Sequence, residues 1–511
     1  MWQIENAHDF CCGATAAPSR SRVVCLRALR WLDMVVFSAP VSVSESCLPC
    51  RGRGWYRFIG ATVAFAAVFV AAALTDQVCS FQNARCSDRT SSDIFQHLQG
   101  QVDDCACNID TIDHFNNFKV YPILKSLLQK DYFRFFKVNL KRPCPFWADD
   151  SRCALRDCSV TTCSEDSLPQ SLRGHERSYV PNDSVSKYSK EANEQDSCDE
   201  NHDGLGSIDN TISDESYREF ERWQKHDDSQ DNFCEIDDES SASMEYVDLS
   251  LNPERYTGYA GASAHRIWRS IYEENCFKPN VGYGPYTTSK NLNAMCLEKR
   301  AFYRAISGLH ASINVHLCAN HLSRDPLGQP SWGPNAVEFE RRFNPKTTKG
   351  EGPQWLRNLY FVYLLELGAL AKAAPYLLHE TFYTSAEDET VPAAVRALLD
   401  AARDFPHHFN DSAMFNGKKD ALKLKEEFKA HFRNISRIMD CVGCDKCRLW
   451  GKLQVQGLGT AMKILFTDKS RLPPENPRFH LTRSEIVSLF NAFGRLSNSI
   501  YHLQQFSKML S

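Results

Sequence analysis

Twenty-one cysteines in a chain of 511 residues constrain this sequence more than any other feature. A reducing compartment tolerates that many chiefly as metal ligands, whereas an oxidising one turns them into bridges and exchange-active pairs. The length allows about three domains, or one large core with insertions. Hydrophobic residues make up 43% and aromatics 11%, enough for a packed interior, so a wholly disordered chain is excluded. The net charge of −4 gives no electrostatic reason to expect nucleic acid as a partner.

The compartment is indicated by one apolar run. Phe58 to Leu74 carries no charge, Arg51, Arg53 and Arg57 precede it and Asp76 comes soon after. At roughly 17 residues it matches the shortest bilayer-spanning helix, and its basic flank favours translocation of the C-terminal part of the chain. It reads as a signal anchor or a cleaved signal peptide, with residues 1–57 an unassigned tail and 75–511 exported into an oxidising lumen. The sequons at Asn182, Asn410 and Asn434 fit a glycoprotein of such a compartment.

Within the exported part the pattern is mostly α. Spacing near 3.6 predicts helices over 264–272, 297–322, 354–372, 391–403, 418–439 and 483–510, while strand-like alternation is scarce. Residues 118–136 also alternate at helical spacing. The part from Cys79 to Cys163 is loop-rich and dense in cysteine. Residues 164–246 read as a mobile acidic insertion: positions 191–240 carry 18 acidic and 3 basic side chains, with few apolar residues to offset the entropy of ordering. Cys198 and Cys234 fall inside it.

Two cysteine groups carry the chemistry. In Cys441-Val-Gly-Cys444-Asp-Lys-Cys447 the spacing begins like an iron–sulfur motif, but Gly451 and Lys452 stand where Cys-Pro should come next. Zinc would need a fourth ligand, and Cys105-x-Cys107 is a poor second knuckle. A redox dithiol, Cys444 with Cys447, needs only a helix N-terminus and the nearby Lys446 and Arg448 to favour a thiolate. A purely structural bridge is the remaining reading. The second group is Cys153, Cys158 and Cys163 in a polar segment, which spacing leaves open between a structural bridge and an exposed exchange pair.

Several blocks carry a family likeness: Lys141-Arg-Pro-Cys144-Pro-Phe-Trp147, Asn252-Pro-Glu-Arg-Tyr-Thr-Gly258, Ile271-Tyr-Glu-Glu-Asn-Cys276, Ser307-Gly-Leu-His310, Asn358-Leu-Tyr-Phe361, His431 to Cys444, and Trp450 to Ala461. In this order they resemble the endoplasmic reticulum oxidoreductin family. The resemblance implies a single helical-bundle flavin-binding domain with a disulfide-tied N-terminal part. It implies a thiol oxidase on the lumenal side of the endoplasmic reticulum membrane that carries FAD, oxidises protein disulfide isomerase and reduces molecular oxygen to hydrogen peroxide. By position, Cys444 and Cys447 are the pair beside the flavin, and Cys153 and Cys158 the shuttle pair. Cys144 with Cys441 and Cys276 with Cys296 are structural bridges, and Cys163 and Cys198 are regulatory partners of the shuttle pair. Arg255, Thr257, Trp268, Ser307, His310 and Arg342 are the flavin contacts, and no metal is implied. No Gly-x-Gly-x-x-Gly fingerprint occurs, so a Rossmann-type site is not expected. The runner-up is a disulfide-rich thiol-binding chaperone without catalysis.

Two departures from the family stand out. Trp355 occupies the place of a second phosphate-facing arginine, with Arg357 nearby. A stretch containing Cys86 separates Cys79 from Cys105 and Cys107, leaving the partners of the last two unassigned.

Overall fold

Helices dominate because long apolar runs bury their backbone only when its hydrogen bonds are closed internally. The computed structural model describes residues 93–148, 158–173, 232–235, 237, 243–254, 262–278, 292–324, 328–380, 382, 390–405, 409–416, 419–467 and 481–511. In chain order these give α1 (Asp93–Leu98), α2 (Ile109–Phe115), α3 (Tyr121–Leu127), α4 (Asp131–Arg134), β1 (Phe135–Val138), β2 (Glu245–Asp248), α5 (Ala262–Arg269), α6 (Leu297–Ala319), β3 (His321–Arg324) and β4 (Pro330–Gly333). They continue as α7 (Ala336–Phe343), α8 (Gly352–Leu377), α9 (Thr390–Asp404), α10 (Lys419–Ile438), α11 (Asp445–Phe466) and α12 (Arg483–Leu510). Wider π turns, Asn116–Val120 and Ser270–Glu274, join α2 to α3 and extend α5.

The core is a bundle of α6, α8, α11 and α12. Glycine sets two of its closest approaches. A Cβ on Gly308 of α6 would lie 2.2 Å from the Asn358 carbonyl oxygen of α8. One on Gly457 of α11 would lie 2.4 Å from the Ser488 carbonyl oxygen of α12. Helix α11 has no polar stripe, because nearly every residue from Leu453 to Phe466 is buried. That is why periodicity shows an apolar stretch there and no amphipathic helix.

Among the described residues, strands are confined to two antiparallel pairs. Phe135 faces Asp248 and Val138 faces Glu245 in one, and His321 faces Gly333 in the other. The helical spacing over 118–136 therefore ends in a strand. An isolated bridge from Thr162 to Val247, with Cys163 N–H donating to the Tyr246 carbonyl at 2.8 Å, adds residues 162–163 beside β2.

The ends of the acidic insertion are packed, contrary to its composition. Leu168 and Leu172 bury against Phe135. Phe233 is fully buried among Phe428 and Phe466, and Cys234 is buried against α11 at Gly459. Arg433 donates to the Asn232 carbonyl, and Arg142, Arg437 and Lys452 pair with Glu235 and Asp237. These cations hold a segment that its own apolar content would not. Cys198 and residues 174–231 lie outside the described residues, as does the Phe58–Leu74 run. Among the described residues no helix is long and apolar enough to cross a membrane.

Candidate active site

The Cys-x-x-Cys pair sits where a helix begins. Cys444 is the N-cap of α11 and is fully buried; Cys447 lies in the first turn, almost as deep. The motif's first cysteine is committed elsewhere: Cys441 is bonded to Cys144 across 297 residues of sequence, with Cα atoms 4.5 Å apart. This leaves Cys444 and Cys447 as the thiols of the motif that carry no disulfide. Hydrogen bonding from Cys447 holds the Cys444 thiol below its ordinary value, against the cost of burial, and the backbone N–H groups of Cys447 and Lys446 add to it. Those amides are the unsatisfied donors of a helix N-terminus, so the fold itself stabilises a thiolate.

Around this corner the chain is clamped by charge. Asp440, almost fully buried, pairs with Arg142 Nε at 2.9 Å and Lys452 Nζ at 2.7 Å. Burial raises the Asp440 pKa even though Lys452 and Arg142 oppose it. Arg142 and Asp440 each lie close in sequence to the Cys144–Cys441 bridge, so the ion pair and the disulfide brace one joint. Arg448 donates to the Val442 carbonyl at 2.8 Å and also to that of Leu140.

A second cluster forms where α5 crosses α6. Ser307 and His310 are buried on one face of α6, and Trp268 stacks on His310 with centroids 3.7 Å apart and planes 11° from parallel. Tyr272, in the Ser270–Glu274 π turn, places its hydroxyl 3.0 Å from His310 Nδ1. Burial, then Arg342, lowers His310 to about 3, so the ring is neutral. Arg342 Nη1 donates to Asn314 Oδ1 at 2.7 Å, and its Nε bonds Glu338 at 2.6 Å. Burial works against ionisation of Glu338, but Arg341 and Arg342 outweigh it and lower its pKa. Stacked aromatic faces beside a largely buried guanidinium suit a flat, anionic cofactor. Arg255 and Thr257 lie outside the described residues.

Asn252 ties the pieces together. Its side chain accepts from the Thr161 N–H at 2.7 Å and donates to the Thr161 carbonyl at 2.9 Å, three residues past Cys158. Its own carbonyl accepts from Trp450 Nε1 of α11 at 2.8 Å. Two residues on, Glu254 binds Gln454 of α11 at 2.8 Å and Arg495 of α12 at 3.0 Å. The helix that carries Cys444 thus anchors both the segment leading to Arg255 and the segment just past the Cys153/Cys158 pair.

The other cysteines that the resemblance assigns fall into three states. Cys158 is disulfide-bonded and buried, while Cys153 is outside the described residues. Cys163 is a free thiol, so the Cys158–Cys163 pairing is not the one present. Cys276 and Cys296, which the resemblance pairs, are both free: Cys276 is buried behind the π turn, and Cys296 is exposed at the N-cap of α6. Burial raises the Cys276 thiol strongly. Arg357 faces away from Ser307. It donates to the carbonyls of Gln101 at 2.7 Å and His97 at 3.1 Å, capping the end of α1. Trp355 packs against the core. Among the described residues no group of three or more His, Cys, Asp or Glu is arranged to hold a metal ion.

Tyr272, Asn314, Asn358 and Asn252 belong to the site although no sequence argument assigns them to it. Asn252, Tyr272 and Asn358 stand inside the motif blocks, the one signal able to single them out.

A buried thiol pair with one sulfur primed for exchange, on a helical bundle, defines an oxidoreductase acting on thiol groups. The family profile "Endoplasmic Reticulum Oxidoreductin 1 (ERO1)" matches residues 119–503. The chain is 51% identical over 461 residues to an Ero1-like protein of Drosophila melanogaster, covering 85% of this chain and 95% of that one. It is 51% identical over 438 residues to ERO1-like protein alpha of Homo sapiens, covering 81% and 92%. A solved mutant structure of S. cerevisiae Ero1p superposes with a TM-score of 0.51 at 28% identity, covering 78% of this chain and 97% of that one. The chain belongs to the endoplasmic reticulum oxidoreductin family, whose members support oxidative protein folding in the endoplasmic reticulum.

Proposed function

We propose that this protein is an FAD-dependent thiol oxidase that introduces disulfides into protein disulfide isomerase and passes the electrons to oxygen. The observation that carries the reading is the lowered thiol of Cys444 at the α11 N-terminus, next to Cys447. A thiolate of the reduced partner attacks the Cys153–Cys158 disulfide, forming a mixed disulfide and releasing one shuttle sulfur as thiolate. The partner's second thiolate then displaces the other, leaving the partner oxidised and the shuttle pair reduced. The shuttle dithiol repeats the exchange on an oxidised Cys444–Cys447 bond. Each exchange moves two electrons and two protons from the donor dithiol to the acceptor disulfide. An FAD would be held by Trp268, Ser307, His310 and Arg342, with Arg255 and Thr257, and would supply the two-electron acceptor that thiols lack, the overall reaction being two thiols and O2 to one disulfide and H2O2. Burial of Cys444 keeps client thiols away from this centre, which is why a separate shuttle pair is needed.

In this reading residues 75–511 are lumenal and 58–74 anchor or target the chain. Cys163 and Cys198 restrain the shuttle by pairing with Cys158 and Cys153. Oxygen uptake with reduced protein disulfide isomerase tests the assignment. Cys444→Ala is expected to abolish turnover, and full turnover in that variant would defeat the reading. Cys153→Ala should lose protein substrates yet spare small permeant thiols.

A further inference from the structure

We infer that Asn252 is a positioning residue for thiol transfer: its side chain and its carbonyl register the Thr161 peptide on the helix that bears Cys444 and Cys447, and so hold Cys158 within exchange range of that pair. The use of Cys158 as a shuttle sulfur rests on the oxidase reading; the clamp itself does not. Asn252 is not among the residues that the family likeness assigns to the site.

Asn252 is fully buried, and all its polar groups are engaged. Its N–H donates to the Asp248 carbonyl at 3.1 Å. Its Oδ1 accepts from the Thr161 N–H at 2.7 Å, and its Nδ2 donates to the Thr161 and Asp248 carbonyls, both at 2.9 Å. Its own carbonyl accepts from Trp450 Nε1 at 2.8 Å. These partners admit one orientation of the amide, since a flip would set Nδ2 against a donor and Oδ1 against two carbonyls. They also select the residue type. An ionised aspartate would set an oxygen against the same two carbonyls, and a glutamine is one methylene longer.

The clamp completes a short ladder. Thr162 bridges Val247, and the Cys163 N–H donates to the Tyr246 carbonyl. The next step of that register sets Thr161 opposite Asp248, the last residue of β2. There the Asn252 carboxamide takes the part of a strand, bonding both backbone groups of one residue as a neighbouring peptide does. A strand would fix Thr161 to β2 alone. Asn252 fixes it to α11 as well, through Trp450.

This attachment lies close to the exchange chemistry. Trp450 comes three residues after Cys447, about 4.5 Å of helix rise. Cys158 comes three residues before Thr161, a backbone span of at most about 10 Å. On the other side, Cys144 is bonded to Cys441, three residues before Cys444. The chain between Cys144 and Thr161, which includes Cys158, is thus rooted at both ends on residues that flank the buried pair. Rooting a thiol near its target raises its effective concentration there, and loosening a root lowers it.

The test is how readily Cys158 pairs with Cys444. In the full chain carrying Cys153→Ala, Cys163→Ala and Cys447→Ala, equilibration in glutathione buffers followed by alkylation and mass spectrometry gives the effective concentration of one thiol at the other. Trp450→Phe keeps a ring and removes the donor; Asn252→Asp keeps the shape and reverses two contacts. Each is expected to lower the effective concentration about tenfold, the loss of one buried hydrogen bond. The two together are expected to lower it little further, because both cut the same line. An unchanged value in Trp450→Phe, or effects that multiply in the double variant, would overturn the inference. Should Asn252→Asp not fold, Trp450→Phe decides alone. Alkylation of Cys444 by a small reagent is expected to be unmoved in Trp450→Phe. A change there as large as the change in pairing would mean that the helix itself had shifted, and would overturn the positioning role equally. With Trp450→Phe in the otherwise wild-type chain, turnover of reduced protein disulfide isomerase is expected to fall by the same factor. Lower pairing with unmoved turnover would overturn the role in transfer. No turnover even in the wild type would defeat the oxidase reading, while the pairing result would still decide the clamp.

Discussion

Two closely spaced cysteine pairs in this molecule have opposite chemistry. Cys444 at the start of α11 is held below the ordinary thiol value. Cys105 and Cys107, in the loop before α2, are pushed up by burial to about 12 and about 11. Nearby positive charge does not explain the difference, because Arg304 lies close to Cys105 and lowers it. There the guanidinium is already engaged: Arg304 and Arg300 pair with Asp104 at 2.9 Å and 2.7 Å, and Asp104 itself raises Cys105. At Cys444 the donors aim at sulfur. A thiolate thus depends on hydrogen bonds directed at it more than on a charge somewhere near, and a helix N-terminus supplies them without a counter-ion. Cys318, buried without such donors, is likewise raised to about 12, and Cys234 is raised to about 12 because burial outweighs its one hydrogen bond, from Ser436.

Removing the directed donor is the strongest way to break that contrast. In Cys447→Ala the Cys444 thiol should rise toward 9 and its alkylation rate at neutral pH should fall about tenfold or more. Cys107→Ala should change Cys105 little, since burial and Asp104 both outrank Cys107 among the causes that raise it. An unchanged Cys444 rate would mean that Cys447 contributes nothing. A milder change sharpens the other side: Asp104→Asn removes the second cause of the raised Cys105 thiol, and its alkylation should quicken by about two- to fivefold. No change would show that burial alone keeps it protonated.

The smallest effect concerns a carboxyl on the neighbouring helix α2. Burial raises Asp113 to about 6, although Tyr360 donates to it at 2.7 Å. The folded state therefore holds this proton where the unfolded chain has lost it. Stability falls as pH rises from about 4 to 6 and stays lower above that. Asp113→Asn keeps an acceptor for Tyr360 and removes the penalty. Its melting midpoint at neutral pH should rise by a few degrees, on the order of 1–2 kcal/mol, with a flatter profile between pH 4 and 6. A lower midpoint would contradict the sign.

What the residues disclose on their own obeys a physical divide. Amphipathic α10 and α9 are legible because one face is polar. Buried α11 is not, yet its first turn is, since Cys444-x-x-Cys447 with an acid and a base between and beside the thiols is a local pattern. Trp268, Ser307 and His310 come from motif blocks, whereas Asn252 and Asn358 act through partners about 50 to 200 residues away, which no local pattern encodes. Cys234 and the ends of the acidic segment mislead because composition reflects apolar burial and overlooks four cations waiting on other elements. Arg357 can be placed only once the carbonyls at the end of α1 are in view.

The most direct test is the pH dependence of Cys444 alkylation in the reduced wild-type protein, read residue by residue by mass spectrometry. A midpoint below 9, with Cys105 unreactive over the same range, is the expected result. A Cys444 midpoint at or above 9 would remove the thiolate on which the relay depends.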